Sequence, residues 1–241
     1  MEVLIIFVGA MLAGFIQSVS GFGAGVILTL MFSQFLDPLA SAAMTLSVCV
    51  VLTVYLTMKF RKEIEWRLIL LPLIPYLIVS TVVNKLMTGF DVKLLTVLFG
   101  AFQIVLAVYY LFISSAVKPK KDAATGIAIG AISGATAALF GVGGPFLSLY
   151  MVAVSSSPKS YTANLQFIFL VTNFVILVEK IAAGHYPFSS WYFSAAGTAA
   201  ILIGARLGVV LLKKLDSEKM KKVVYWFLLG SGIITILQKV L

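Results

Sequence analysis

Two glycine-rich stretches decide the fold: residues 20–25 read Ser-Gly-Phe-Gly-Ala-Gly, and residues 140–145 read Phe-Gly-Val-Gly-Gly-Pro. They are related by one offset, because Gly14, Gly21 and Gly23 are each followed 120 residues later by another glycine. The chain has only 19 glycines in 241 residues, so chance explains this spacing poorly. We interpret the stretches as two copies of one structural element.

The composition is typical of a polytopic membrane protein. The chain is 61% hydrophobic and 11% charged, with a mean hydropathy of +1.09. Its apolar runs exceed the roughly 18 residues that indicate a membrane helix. The basic residues behind the net charge of +9 lie in short loops between these runs. They predict membrane topology rather than a nucleic-acid interface.

The scarcity of reactive side chains argues against an enzyme. The single cysteine, Cys49, excludes a disulfide framework and a cysteine-based metal site, and the single histidine, His185, leaves little for histidine-based catalysis. We therefore expect no enzymatic activity, no cofactor and no metal.

Hydropathy divides the chain into eight apolar segments: 3–36, 39–58, 68–87, 94–113, 123–154, 160–183, 191–212 and 220–238. Six have ordinary spanning length. The first and fifth exceed 30 residues and contain the glycine-rich stretches. Glycine costs about 1 kcal/mol per residue in a helix interior, so each long segment is predicted to break there.

A second pair of matches extends the repeat, since Trp66 and Asp91 are followed 125 residues later by Trp191 and Asp216. The sequence therefore predicts two homologous membrane repeats, residues 1–115 and 123–241, joined by a basic cytoplasmic linker at 116–122.

The positive-inside rule decides how the long segments are arranged. If each crosses the membrane once, the Lys and Arg residues divide evenly, eight against nine. If each enters the membrane and returns to its own side, thirteen collect on one side and four on the other. This re-entrant topology predicts six spanning helices, two hairpins, inverted repeats and both termini outside the cell membrane.

The tips of the two hairpins are predicted to meet in mid-membrane, where inverted-repeat transporters place their substrate. Each tip precedes a returning helix, whose free N–H groups and positive dipole end favour an anion. The alternative is that the glycines only permit close helix packing. The residues expected to bind the anion are Gln17, Ser18, Ser20, Gly21, Gly23, Gly25, Gly141, Gly143, Gly144, Asn164 and Gln166.

Arg206 lies deeper inside an apolar segment than any other basic residue, which makes it a further candidate for substrate binding. Alternatively, its side chain extends to the membrane surface, since Lys213 follows only seven residues later. Gly204 and Gly208 are predicted to be packing positions, and Asn173 is expected to bridge helices rather than contact substrate.

All nine acidic residues lie in loops or at the ends of apolar segments. No carboxylate is therefore expected in mid-membrane to bind a cation or relay a proton. This distribution argues against a cation transporter.

The motifs resemble those of the sulfite exporter TauE/SafE family, also called the toluene sulfonate uptake permeases. The similarity is carried by residues 14–23, 134–145 and 203–208 and covers nearly the whole chain. This sequence differs from the family pattern at Gly-Phe-Gly-Ala-Gly, residues 21–25, where many members have a Gly-Gly-Gly-type turn. Phe22 is expected either to narrow the pocket or to pack against Phe140. The resemblance implies a transporter of small sulfur-containing anions such as sulfite and organosulfonates.

These observations predict an alternating-access transporter, with export the favoured direction. The alternative function is an anion-selective channel with paired re-entrant hairpins. The expected partners are the lipid bilayer and a small sulfur-containing anion, and no nucleic acid. The sequence leaves open whether the protein acts as a monomer or a homodimer.

Overall fold

The chain is helical throughout the described residues of a computed structural model. These residues are 2–86, 92–113 and 120–211, together with nine isolated positions between 222 and 237. No strand occurs among them, which confirms the predicted all-α class. Most of the predicted apolar segment at 220–238 lies outside the described residues.

The described ranges contain nine α-helices, numbered here in chain order. A π-helical turn, Tyr109–Ile113, continues α5, and short 3-10 turns lie at Arg61–Glu63 and Phe188–Ser190. The helices are α1 Glu2–Ser20, α2 Ala24–Phe32, α3 Pro38–Phe60, α4 Trp66–Leu86, α5 Val92–Val108, α6 Ala123–Phe140, α7 Gly144–Val154, α8 Pro158–Ala182 and α9 Trp191–Leu211.

Polar side chains cap the helices that begin at the bundle ends. Asp37 accepts hydrogen bonds from the backbone N–H groups of Leu39 and Ala40 at the start of α3. Asp122 does the same for α6, and Ser157 for α8. Such caps satisfy N–H groups that an α-helix leaves unpaired in its first turn. The local sequence thus fixes where these three helices begin.

Both long apolar segments break at their glycines. Gly21, Gly23 and Gly141 have φ angles of 88°, 115° and 68°, a left-handed conformation that side chains other than hydrogen disfavour. After each break the chain folds back. A Cβ atom on Gly9 of α1 would lie 1.9 Å from the sulfur of Met31 in α2. In the second segment, the Tyr150 hydroxyl of α7 lies 3.5 Å from the Asp122 carbonyl oxygen that precedes α6.

The two arms of each hairpin differ in length. The first arms, α1 and α6, have 19 and 18 residues, and the returning arms, α2 and α7, have 9 and 11. Because the glycines come late in each segment, the first arm is itself long enough to cross a membrane. The six apolar spans of sufficient length in the described residues are Glu2–Ser20, Pro38–Glu63, Trp66–Leu86, Ala123–Phe140, Pro158–Ala182 and Phe188–Leu211.

In two large helix contacts, a helix of one predicted repeat packs against a helix of the other. Helix α1 packs on α9, where a Cβ on Gly14 would lie 2.2 Å from the Ile201 carbonyl oxygen. Helix α6 packs on α4, where a Cβ on Gly134 would lie 2.3 Å from the Tyr76 carbonyl oxygen. Gly134 follows Gly14 by 120 residues, and Ile201 follows Tyr76 by 125. The two-repeat organisation stays a prediction, which this pairing supports.

The connections between helices gather at two ends of the bundle. Glu65, between α3 and α4, accepts hydrogen bonds from Ser160 and Asn164 near the start of α8. At the opposite end, Lys180 of α8 donates to Asn84 near the end of α4. The loop around Glu65 and the start of α8 therefore share one end. Hairpins that return to their own side require this arrangement, whereas single crossings would separate the two.

Candidate functional site

A cavity of about 40 Å³ lies where the two glycine-rich turns meet. Helices α3, α4 and α8 contribute residues from near their middles, which places the cavity at mid-depth in the bundle. The lining residues are Gln17, Phe22, Gly23, Gly25, Val26, Leu46, Cys49, Tyr76, Gly141, Val142, Gly143, Gly144, Pro145, Phe169 and Asn173.

The two turns touch each other directly. A Cβ on Gly25 would lie 2.9 Å from the Gly141 carbonyl oxygen, and one on Gly144 would lie 3.2 Å from the Cβ of Phe22. A side chain at either glycine would push the turns apart or fill the cavity. The structure thus brings together five of the glycines expected at the site, namely Gly23, Gly25, Gly141, Gly143 and Gly144.

Two helix N-termini lie in the cavity wall. Helix α2 starts after Gly23 and α7 starts after Gly143, and glycine supplies no capping side chain. Pro145 occupies the first turn of α7, where its missing N–H costs no hydrogen bond. In α2, the Ala24 N–H donates to Oε1 of Gln17 at 3.0 Å. Both helix dipoles therefore present their positive ends to the cavity.

Charged side chains are absent from the described cavity lining. Tyr76 and Cys49 are the only titratable lining residues, and both are buried. The described carboxylates lie near the ends of the bundle, as Asp37, Asp122 and Glu179 illustrate. An anion in the cavity would be held by neutral donors and helix dipoles, whereas a cation would meet no carboxylate there.

Gln17 and Gln166 form a buried network that holds the first turn. Nε2 of Gln17 donates to Oε1 of Gln166 at 3.1 Å, and Nε2 of Gln166 donates to the Gly21 carbonyl oxygen at 2.7 Å. Gln17 lines the cavity, but Gln166 and Gly21 do not. A Cβ on Gly21 would instead meet the ring of Tyr161 at 2.8 Å. Gln166 and Gly21 therefore shape the turn from behind.

Ser18 and Ser20 bond to the backbone of their own hairpin. The Ser18 hydroxyl donates to the Gly14 carbonyl at 2.7 Å, and the Ser20 hydroxyl to the carbonyls of Ile16 and Phe22 at 2.8 and 2.6 Å. Neither residue lines the cavity. In this structure both hydroxyls stabilise α1 and its turn rather than face a ligand.

Asn164 lies at the end of the bundle, away from the cavity. Its Oδ1 accepts the Glu65 N–H at 2.8 Å, and its Nδ2 donates to the Glu65 carboxylate at 3.1 Å. Hydrogen bonds from Ser156 and Ser160 lower the pKa of the Glu65 carboxyl below its ordinary value of 4.5. Asn164 thus ties the loop between α3 and α4 to α8, and it does not line the cavity.

Arg206 has an exposed side chain on α9 and does not line the cavity. Its neighbours Gly204 and Gly208 face α1, where added Cβ atoms would lie 1.8 Å from the Met11 and 2.7 Å from the Phe15 carbonyl oxygens. The prediction that these glycines are packing positions is confirmed. A substrate role for Arg206 finds no support in this geometry.

Sequence reasoning missed Phe169, Tyr76 and Asn173 as lining residues. The repeat offset offered a signal for one of them, because Phe169 follows Cys49 by 120 residues and both line the cavity. Asn173 was expected to bridge helices, yet its amide makes no hydrogen bond within the described part of the chain. Its donors are free to contact a bound ligand.

Phe22 lines the cavity, and its ring packs 6.1 Å from that of Tyr225. Phe140 instead stacks on Phe99 and Phe102 of α5, with ring centroids 5.3 and 4.9 Å apart. Of the two expectations for Phe22, narrowing of the pocket is the one that agrees with the structure.

Comparison with known proteins gives one match. The family model described as sulfite exporter TauE/SafE matches residues 6–235, a range that includes both glycine-rich turns. No curated protein and no solved structure matches the chain. Because the matched range covers almost the whole sequence, the chain belongs to the sulfite exporter TauE/SafE family.

Proposed function

We propose that this member of a membrane-transporter family moves a small sulfur-containing oxyanion such as sulfite or an organosulfonate by alternating access. The anion binds in the cavity between the two glycine-rich turns. The observation that carries this proposal is the cavity itself, which lies at mid-depth, has two helix N-termini in its wall and has no charged residue in its described lining.

The hydrogen-bond donors and helix N-termini at the cavity should bind an anion with the moderate affinity that a carrier needs. A helix N-terminus contributes about 0.3–1 kcal/mol to binding an anion, and a hydrogen bond to a charged group about 1.5–3 kcal/mol. Two helix ends and a few N–H donors therefore give moderate affinity. A transporter needs its substrate to be bound and also released, so a formal positive charge in the cavity is not required.

We further propose that the bundle end containing Glu65 faces the cytoplasm of a cell membrane. Lys59, Arg61, Lys62, Lys120 and Lys159 belong to the loops or helix termini at that end. With this orientation both chain termini lie outside, and the inside-negative potential favours anion export by about 2.3 kcal/mol per charge per 100 mV. Export then needs no coupling ion.

Sulfite flux in proteoliposomes tests the proposal. Gly143→Val should abolish flux, because its Cβ would lie 2.3 Å from the Tyr76 hydroxyl and 2.8 Å from the Ser133 carbonyl oxygen. Gly144→Ala is a milder companion, since its Cβ would meet Phe22 and Phe169 at 3.2 Å. Gly230→Ala serves as the control, because no atom of the described residues lies within 4 Å of an added Cβ there. Normal flux in both Gly143→Val and Gly144→Ala would overturn the proposed site.

Counterflow distinguishes the proposed carrier from an anion channel. A carrier loaded with unlabelled sulfite on one side should accelerate entry of labelled sulfite from the other, and its flux should saturate. Flux that is linear in concentration and insensitive to sulfite on the far side would identify a channel.

A further inference from the structure

We infer that the cavity selects compact sulfur oxyanions without an organic tail, and that Phe169 together with Phe22 sets this limit. The inference rests on the proposed function and narrows its substrate class to inorganic ions of the size of sulfite.

The size of the cavity is the first argument. Its volume is about 40 Å³ on the measure by which a single buried water needs roughly 10–15 Å³, whereas pockets for drug-sized ligands occupy about 300–1,000 Å³. An ion of a few heavy atoms is of the right scale. A sulfonate with an aryl group or an alkyl chain of several carbons exceeds the cavity unless a wall moves.

The second argument is the packing of the two phenylalanine rings. Phe22 and Phe169 are 1% and 6% exposed, and Gly144 lies between them, since its added Cβ would be 3.2 Å from each. The ring of Phe22 also packs against that of Tyr225, with 6.1 Å between the ring centroids. Protein interiors pack densely, so rings confined in this way do not yield space for a tail without cost.

The third argument is the arrangement of Phe169 and Asn173 on α8. The two residues are four apart on one helix, so their side chains lie on the same face. Asn173 offers an amide that has no hydrogen-bond partner within the described residues, and Phe169 offers an apolar wall. One turn of α8 therefore presents a donor for the oxygens of an anion beside a barrier to any substituent on its sulfur.

Competition against sulfite uptake tests this inference in proteoliposomes containing the full-length protein. The competitors are methanesulfonate, ethanesulfonate and butanesulfonate, which differ only in tail length. For the wild type, competition should fall steadily along this series. Phe169→Ala should improve competition by ethanesulfonate and butanesulfonate about tenfold, by the scale at which one methylene in an apolar pocket is discriminated.

Phe174→Ala is the matched control, because Phe174 lies on the same helix with its side chain 56% exposed. It should leave the competition series unchanged. Phe169→Leu provides a smaller enlargement that keeps an apolar side chain if the alanine variant does not fold. Competition by butanesulfonate as strong as that by unlabelled sulfite in the wild type would overturn this inference alone. Absence of sulfite uptake by the wild type would overturn the proposed function as well.

Discussion

At the scale of single residues, the site depends on glycines, which carry no side chain, and on the amide of Asn173, which has no hydrogen-bond partner among the described residues. Gly23 and Gly141 adopt left-handed conformations that allow two turns to approach within contact distance. Asn173 then supplies donors that no described protein group uses, whereas Gln17 is already bonded to Gln166 and to Ala24. Substitutions of Asn173 therefore report on the ligand more directly than substitutions of the turns.

Asn173→Asp should abolish sulfite transport, because the new carboxylate has the shape of the amide but repels an anion. Asn173→Ser should keep transport with an affinity about tenfold to a hundredfold lower, since it weakens one hydrogen bond to a charged group. Saturation of initial flux measures both effects. Transport by Asn173→Asp equal to that of the wild type would contradict the proposal that the site binds an anion.

At the scale of helices, the framework depends on two close crossings, α1 on α9 and α4 on α6. At Gly204 an added Cβ would lie 1.8 Å from the Met11 carbonyl oxygen, and at Gly130 it would lie 2.3 Å from that of Pro72. Small residues at such crossings let helix backbones approach closely in membranes. Gly204 and Gly130 are therefore structural.

Gly204→Ala should destabilise the protein by about 1–3 kcal/mol, the usual cost of overpacking a close contact. The thermal midpoint in detergent measures this loss, with Gly230→Ala as the control because an added Cβ there meets no atom of the described residues within 4 Å. An unchanged midpoint for Gly204→Ala would show that the crossing is looser than described.

The contact between Glu65 and α8 should make stability depend on pH. Because the folded pKa lies below the ordinary value of 4.5, the ionised carboxylate stabilises the fold above pH 4.5, and this contribution is lost as the pH falls through the lowered pKa. Glu65→Gln should lower the thermal midpoint at pH 7, and the difference from the wild type should shrink as the pH falls below 4.5. Glu63→Gln, at an exposed position, is the control. Equal midpoints of Glu65→Gln and wild type at pH 7 would contradict this role.

The helix boundaries show what the sequence could and could not predict. The breaks were predictable, because clustered glycines disfavour helix locally whatever surrounds them. The unequal arms follow from the same prediction, because the glycines lie late in each apolar run. The bond between Asn164 and Glu65 could not be predicted, because the two residues lie 99 positions apart in sequence. Contacts of that kind are set by tertiary packing and leave no local pattern.

At the scale of the whole molecule, the bundle end that contains Glu65 should face the cytoplasm. In a Cys49→Ser background, a single cysteine is introduced as either Lys120→Cys or His185→Cys. These two positions lie at opposite ends of the bundle. An impermeant thiol reagent added to intact cells should label the cysteine at position 185 and spare the one at position 120. Labelling of position 120 alone would reverse the orientation, and labelling of both would contradict the hairpin topology.

The most direct test of the central claim is to locate a bound oxyanion. Selenite has the pyramidal shape of sulfite and scatters anomalously, so a crystal of the Cys49→Ser variant soaked in selenite reports its position; the substitution removes a thiol that selenite would oxidise. The account predicts an anomalous peak between Gly23–Gly25 and Gly141–Gly144, within hydrogen-bonding distance of the Asn173 amide. A peak at Arg206 or Lys180, with the cavity empty, would contradict it.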